Sequence, residues 1–439
     1  MNLSAAVFYI ALGTMLGGVI SLVPALHIFN VAGLILLLSL KFSSLIPGEI
    51  LPYFMMAMLV SYSILNTIPS LFLGVPDDST IFVVLPGQKY MLHGRGYEAS
   101  VLTGIGALGG FIFIFLMTPL VFTVFPGLRQ LLTAHMFWIL ALIITYMLMS
   151  EWPKGTDRAA TGLGRMKEAW ENLAAGIITF FLSGIMGIII LNKTLIKLES
   201  AFQGVMPVFV GLFAIPWLIT NILSKTRVPP QHISGSVDLD GLLFVRGSIA
   251  GFLGGLFAAF FPVVTGGIGG LLAGHATAQR DDRLFVVSQG ASKSVYYVGA
   301  FLLFFAPGLN LTRGGLAWMI SPFFTSRIKA DYYLALATIA ISGAIAFFLL
   351  LYFSRLIIKL LNMIDYRILS YIVLFILLGI VYGLAGKMGL FLMLVGTGIG
   401  SIPVFFYSRR MNCMGVLLLP ITLNMAGLGP AVNKLLGLI

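Results

Sequence analysis

Lys293 lies inside an apolar run, LFVVSQGASKSVYYVGAFLLFF (284–305), nine residues from its start. At 1.5 Å per residue that is roughly 14 Å deep in a membrane-spanning helix. A lysine there costs about 2.5–3.5 kcal/mol on insertion scales, so its charge calls for a partner or a use. Gln289, Ser292 and Ser294 surround it. A substrate or coupling role and a structural bond to a backbone carbonyl both fit such a residue. A second stretch with chemical potential is FFPVVTGGIGGLLAGH (260–275), in which Pro262 interrupts an apolar helix ahead of Thr265, Gly266 and Gly267. Proline ends a helix because it lacks an N–H and clashes with the preceding turn. The new half-helix can then present backbone N–H groups and the positive end of its dipole, a receptor suited to an anion.

The first half of the chain offers the same device with other residues. Pro24 is followed by His27 and Asn30, and the next apolar run carries Ser61, Ser63, Asn66 and Thr67. Pro24, His27, Asn30, Asn66, Pro262, Thr265, Gly266, Gly267, Gln289, Ser292 and Lys293 are therefore the candidate substrate-binding residues. Asp77 and Asp78, with Ser63 and Thr67, are candidates for ion coupling, although the two aspartates equally suit a solvated turn. Sodium would use hydroxyls, amides and unwound carbonyls, whereas a proton would use Asp, Glu or His; both remain open. Two hairpins packed tightly with no ligand would also leave such a pattern, because small residues in membrane helices serve close packing.

These residues belong to a chain of 439 residues that is 59% hydrophobic and 9% charged, with a mean hydropathy of +1.04. Soluble domains carry about 25% charged residues, so this is a multi-pass protein of the cell membrane. The net charge of +11 reads as cationic loops rather than a nucleic-acid surface. One cysteine, Cys413, leaves no internal disulfide or Cys-based metal site. A cleavable signal peptide is not expected, since the first basic residue is Lys41.

Apolar runs long enough to span lie at about 50–74, 99–124, 131–150, 171–191, 205–223, 284–308, 331–352, 368–386, 388–408 and 412–436. Broken apolar stretches at 4–40 and 247–278 open the two halves. They share Gly13-x3-Gly17-x6-Pro24 and Gly251-x3-Gly255-x6-Pro262, and Arg95-Gly96-x-x-Ala99 and Arg313-Gly314-x-x-Ala317 follow downstream. The expected organisation is an N-terminal repeat (1–223), a cytoplasmic linker (224–246) and a C-terminal repeat (247–439). If each broken stretch returns to its own side, five full spans per half invert the second repeat. That topology puts sixteen Lys and Arg on the cytoplasmic side against nine outside. Inverted repeats with broken helices near the midplane are a plan of secondary transporters. No Walker loop, H-E-x-x-H or G-x-S-x-G sequence occurs, so neither a catalytic residue nor a cofactor is expected, and an ion gradient is the expected energy source.

The stretch SILNTIPSLFLGVPDDSTIFVVLPGQKYMLHGRGYEA (63–99) resembles a signature of the TctA family, the large membrane subunit of tripartite tricarboxylate transporters, and is closest to its shorter, mostly archaeal branch. The pieces are Gly74-Val75-Pro76, Leu85-Pro86-Gly87 and Gly94-Arg95-Gly96-Tyr97-Glu98-Ala99. GTMLGGVISLVPALH (13–27) and RGSIAGFLGGLFAAFFPVV (246–264) resemble the family's paired glycine-rich segments. The resemblance implies uptake of di- or tricarboxylates, assisted in bacterial relatives by a small membrane subunit and an extracytoplasmic binding protein; a homodimer is also compatible. Pro-Ala-Leu-His and Pro-Val-Val-Thr-Gly-Gly replace the family's Pro-Gly segments, so citrate-like specificity and the tripartite partners do not carry over. FPVVTGGIGGLLAG (261–274) also resembles the proline–glycine motif of polyprenyl-phosphate translocases, for which the ligand would be a lipid phosphate. A third reading, an intramembrane prenyl-transfer enzyme using Asp77-Asp78 and Asp281-Asp282, lacks the D-D-x-x-D spacing. The expected fold is all-α and polytopic, two inverted repeats each with a re-entrant or broken-helix hairpin and about five spans.

Overall fold

The computed structural model describes residues 3–24, 26–41, 46–76, 79–151, 162–196, 204–224, 228–277, 281–309, 311–324 and 327–438. Among them are helices and no strands. The first half contains α1 (Leu3–Ser21), α2 (Ile28–Lys41), α3 (Leu51–Leu65), α4 (Thr67–Phe72), α5 (Val84–Leu92) and α6 (Gly96–Thr123). It continues with α7 (Phe125–Ala134), α8 (Met136–Met149), α9 (Gly162–Asn192), α10 (Met206–Phe209) and α11 (Ile215–Leu223), the last two joined by a π turn at Val210–Ala214. The second half has α12 (Gly241–Phe260), α13 (Gly266–Ala276), α14 (Asp282–Leu302), α15 (Gly315–Ile320) and α16 (Lys329–Met363). It ends with α17 (Tyr366–Phe405), α18 (Gly415–Met425) and α19 (Gly429–Leu435). Among the described residues, eight helical runs are long and apolar enough to cross a membrane, ten if each of two bent pairs is one span.

The expected breaks fall where proline and glycine put them. α1 stops at Ser21 ahead of Pro24, and α12 stops at Phe260 ahead of Pro262. The arms are unequal, however: α1 and α12 have 19 and 20 residues, a spanning length rather than half of one, whereas α13 has 11. The 50–74 run is also divided. Pro69 has no N–H for the Leu65 carbonyl, and α3 gives way to α4 at Asn66. In α17, Gly386 leaves helical geometry (φ 63°, ψ −158°), which divides the 40-residue run close to the expected boundary between 368–386 and 388–408. α12 begins at Gly241, six residues before the expected start of the C-terminal repeat, because the Asp240 side chain caps it, accepting from the Leu243 N–H at 2.7 Å.

Contacts divide the chain into two compact units, 1–131 with 226–369, and 132–225 with 370–439. Each unit therefore draws one segment from either side of the linker. In the first, α1 packs on α3 and α12 on α14, and both pairs use the repeated glycines. A β-carbon on Gly17 would overlap the Met58 carbonyl oxygen, and one on Gly255 would overlap that of Ser292. Gly13 and Gly251 sit the same way on Phe54 and Ser288. The long helix that follows each pair crosses to the other: α6 packs on α12 and α14, and α16 packs on α1 and α3. Buried hydroxyls pin α16 in place: Thr14 of α1 donates to Ser342 at 2.9 Å, and Ser100 of α6 pairs with Ser354 at 2.7 Å. α3, buried on every residue from Leu51 to Leu65, lies in the core of this unit.

The linker straps one end of the first unit. Gln231 accepts from the Gly96 N–H at 3.0 Å and donates to the Met91 carbonyl at 2.8 Å, while Asn362 of α16 brackets its backbone at 2.8 and 3.0 Å. Glu98 binds Arg95 through two 2.7 Å bonds and receives the Asp238 N–H at 3.4 Å. At the same end Arg283 holds Asp281 at 2.7 Å and Asp238 at 2.7 Å. Its hydrogen bonds hold the Asp281 carboxyl below the usual carboxylate range. In the second unit α9 and α18 cross with Gly187 against the Val416 carbonyl, and Arg410 lies over the Trp217 ring at 4.6 Å.

Candidate functional site

The site grows from α14, which passes the breaks of three other helical runs. Lys293, 1% exposed, extends across to the break between α3 and α4. Its ammonium donates to Asn66 Oδ1 at 2.6 Å, to the Ile64 carbonyl at 3.3 Å and to Thr67 Oγ1. Ser294 donates to the Ser63 carbonyl at 3.1 Å, on the same last turn of α3. On the other side of α14, Gly266, the first residue of α13, rests on the Lys293 backbone; a β-carbon there would lie 2.7 Å from the Lys293 Cα. Ser292 Oγ donates to the Gly266 carbonyl at 2.7 Å and fixes that approach.

The third break is that of α1 and α2. His27 Nδ1 receives the Phe29 N–H at 3.3 Å, which leaves Nε2 to donate to the Tyr297 hydroxyl at 3.1 Å. Ser79 also donates to Tyr297, at 3.1 Å, and Tyr62 meets both the His27 and Tyr297 rings. Thus the half-helix starts after Pro24 and Pro262 and the kink at Asn66 all touch α14 between Ser292 and Tyr297.

Two features at the α12–α13 break mark it as more than packing. Val263 takes a left-handed backbone (φ 54°), which a β-branched residue adopts only under strain, at about 1–3 kcal/mol. Gln289 is fully buried one turn before Lys293, and neither its Oε1 nor its Nε2 has a hydrogen-bond partner. Its amide faces α13, where a β-carbon on Gly270 would fall 2.6 Å from Oε1. An unsatisfied buried amide costs about 1–3 kcal/mol, so a polar guest beside Gln289 would recover energy the protein forgoes without it. Asn30, in the first turn of α2, likewise has a buried Nδ2 without a partner.

The structure thus brings together His27, Ser63, Asn66, Thr67, Gly266, Ser292 and Lys293. Thr265 stands at the start of α13 in extended conformation, buried, and does not cap it through its hydroxyl. Pro24, Pro262 and Gly267 shape the breaks. Asp77 and Asp78 lie outside the described residues. Tyr297 and Ser79 join the cluster unannounced by the sequence. Tyr297 stands four residues after Lys293, on the same helix face, a spacing that identifies it in retrospect. A cavity of about 10 Å³, room for roughly one water, lies beside Tyr297 and is lined by Phe29, Tyr296 and Arg313. Burial, and then the Arg129 charge, push the Arg313 guanidinium down to about 10, which leaves it cationic at neutral pH.

These features define a class: a polytopic helical membrane protein whose broken helices meet around buried polar groups. Over residues 7–415 the chain matches the model of the tripartite tricarboxylate transporter TctA family, and it belongs to that family. It is a multi-pass membrane protein and a component of that transporter class. It is similar to an uncharacterized protein of Methanocaldococcus jannaschii, with 29% identity over 94% of this chain and 97% of the relative. No solved structure matches it.

Proposed function

We propose that this chain moves small organic anions of the di- or tricarboxylate kind across the membrane, driven by an ion gradient, with the anion held where the broken helices meet on α14. The observation that carries the reading is the convergence of three helix breaks on Ser292–Tyr297, with a buried cation at its centre. The first turn of α13 supplies backbone N–H groups and the positive dipole end, and Gln289 supplies an unspent amide. Lys293 contributes its charge at close range and hydrogen-bonds the α3–α4 break, so in this reading it sets the field of the site. Candidate partners are those of a tripartite system, a small membrane subunit and an extracytoplasmic binding protein, and a second copy of the chain.

The test is thermal stabilisation of the purified protein by di- and tricarboxylates against that by a polyprenyl phosphate. A ligand of the native state raises apparent stability with the logarithm of its concentration above its dissociation constant. Stabilisation by a carboxylate, lost in Lys293→Ala and in Gln289→Leu, is the expected result. Stabilisation by the lipid phosphate alone would replace this reading with lipid-carrier translocation.

A further inference from the structure

Three oxygens of three different kinds accept from the Lys293 ammonium: a main-chain carbonyl (Ile64), a side-chain amide (Asn66, 2.6 Å) and a hydroxyl (Thr67). They sit at the kink between α3 and α4, where Asn66 is the C-terminal cap of one helix and the N-terminal cap of the next and the Ile64 carbonyl belongs to the last turn of α3. In transporters, carbonyl oxygens at breaks in membrane helices are among the groups that coordinate a monovalent coupling cation. Here a lysine, delivered from a helix more than 200 residues along the chain, already fills the position.

We infer that the Ile64–Asn66–Thr67 oxygens form a monovalent-cation site whose cation is built into the chain as the ammonium of Lys293. The consequence is functional. At this position the protein needs no free cation to bring α3, α4 and α14 together, and a cation taken from solution during transport binds elsewhere. Removing the ammonium opens the position to a small cation of matching size, ammonium or methylammonium first, and potassium or sodium next.

The experiment needs no carboxylate, so its outcome is independent of the anion reading above. Melting temperatures of the purified wild type and of Lys293→Ala are compared in choline chloride and in ammonium, methylammonium, potassium and sodium chloride at equal ionic strength. The wild type is expected to melt alike in all of them. Lys293→Ala is expected to melt lower in choline and to recover saturably with at least one small cation; adding Thr67→Val should abolish the recovery. A Lys293→Ala protein that gains nothing from any cation, or that folds in none of these salts, would overturn the inference. So would a saturable sodium stabilisation of the wild type that Thr67→Val removes, because the oxygens would then be serving a free ion.

Discussion

Val263 and Gly266 stand three residues apart and meet opposite steric demands. Val263 is held at φ 54°, where glycine would be at ease, while Gly266 needs its lack of a side chain to lie on the Lys293 backbone. Val263→Gly should therefore leave stability unchanged or raise it by about 1 kcal/mol, since it relieves strain at a half-buried position. Gly266→Ala should lower it by about 1–3 kcal/mol, because the added methyl drives α13 off α14. Thermal unfolding of the two variants checks both signs. Residues of this kind were partly legible in the sequence. Lys293, Asn66 and Thr67 declared themselves as polar groups within apolar runs. That the ammonium reaches Asn66 and Thr67 was not legible, because nothing in a single chain marks contacts between residues so far apart. Tyr297 escaped notice because a tyrosine in an apolar helix is unremarkable until its hydroxyl acquires His27 and Ser79 as neighbours.

Among the elements, the paired helices α1–α3 and α12–α14 rest on glycines at repeated spacing; the spacing was legible in the sequence, but the helices these glycines pack against were not. Gly17→Val and Gly255→Val should each separate such a pair and cost more than about 2 kcal/mol, since backbone carbonyls cannot move aside as side chains do. Gly383→Ala in α17, where nothing lies within 4 Å of the added carbon, should instead be neutral or stabilising by about 0.5–1 kcal/mol. Guanidinium and backbone donors stabilise the Asp281 carboxylate at the start of α14. Its pKa is depressed on folding, so the stability it contributes is present above about pH 4, the unfolded value, and is lost as pH falls through the lower folded value. Asp281→Asn should remove that share of the acid-side loss, so that its melting temperature falls less steeply than the wild type's below about pH 4. Helix breaks at proline were readable; arm lengths were not, because a 19-residue apolar helix reads the same whether its neighbours let it cross or turn back.

Across the whole molecule, the repeat expected from the sequence and the compact units in the structure divide the chain differently. The expected repeats would run along the chain on either side of the linker, whereas each unit takes one segment from either side. The exchange of α6 and α16 between the glycine-paired helices explains this for the first unit: each half supplies the helix that covers the other half's pair. The specific 63–99 stretch serves both places: Ser63, Asn66 and Thr67 join the cluster at Lys293, whereas Gly96 and Glu98 bind Gln231 and Asp238 of the linker. Gln231→Ala should therefore leave carboxylate-dependent stabilisation in place while lowering the melting temperature, a separation that the same thermal assay reads. The single cysteine, buried Cys413 in the second unit, makes a direct test of the anion position practical. In a Cys413→Ala background, Val263→Cys places one thiol at the break before α13, and its rate of modification by a small water-soluble thiol reagent is measured with and without a tricarboxylate. The account predicts that the ligand slows the reaction at concentrations matching its thermal stabilisation of the protein. Stabilisation by the tricarboxylate with an unchanged modification rate would place the anion away from this break and contradict the account.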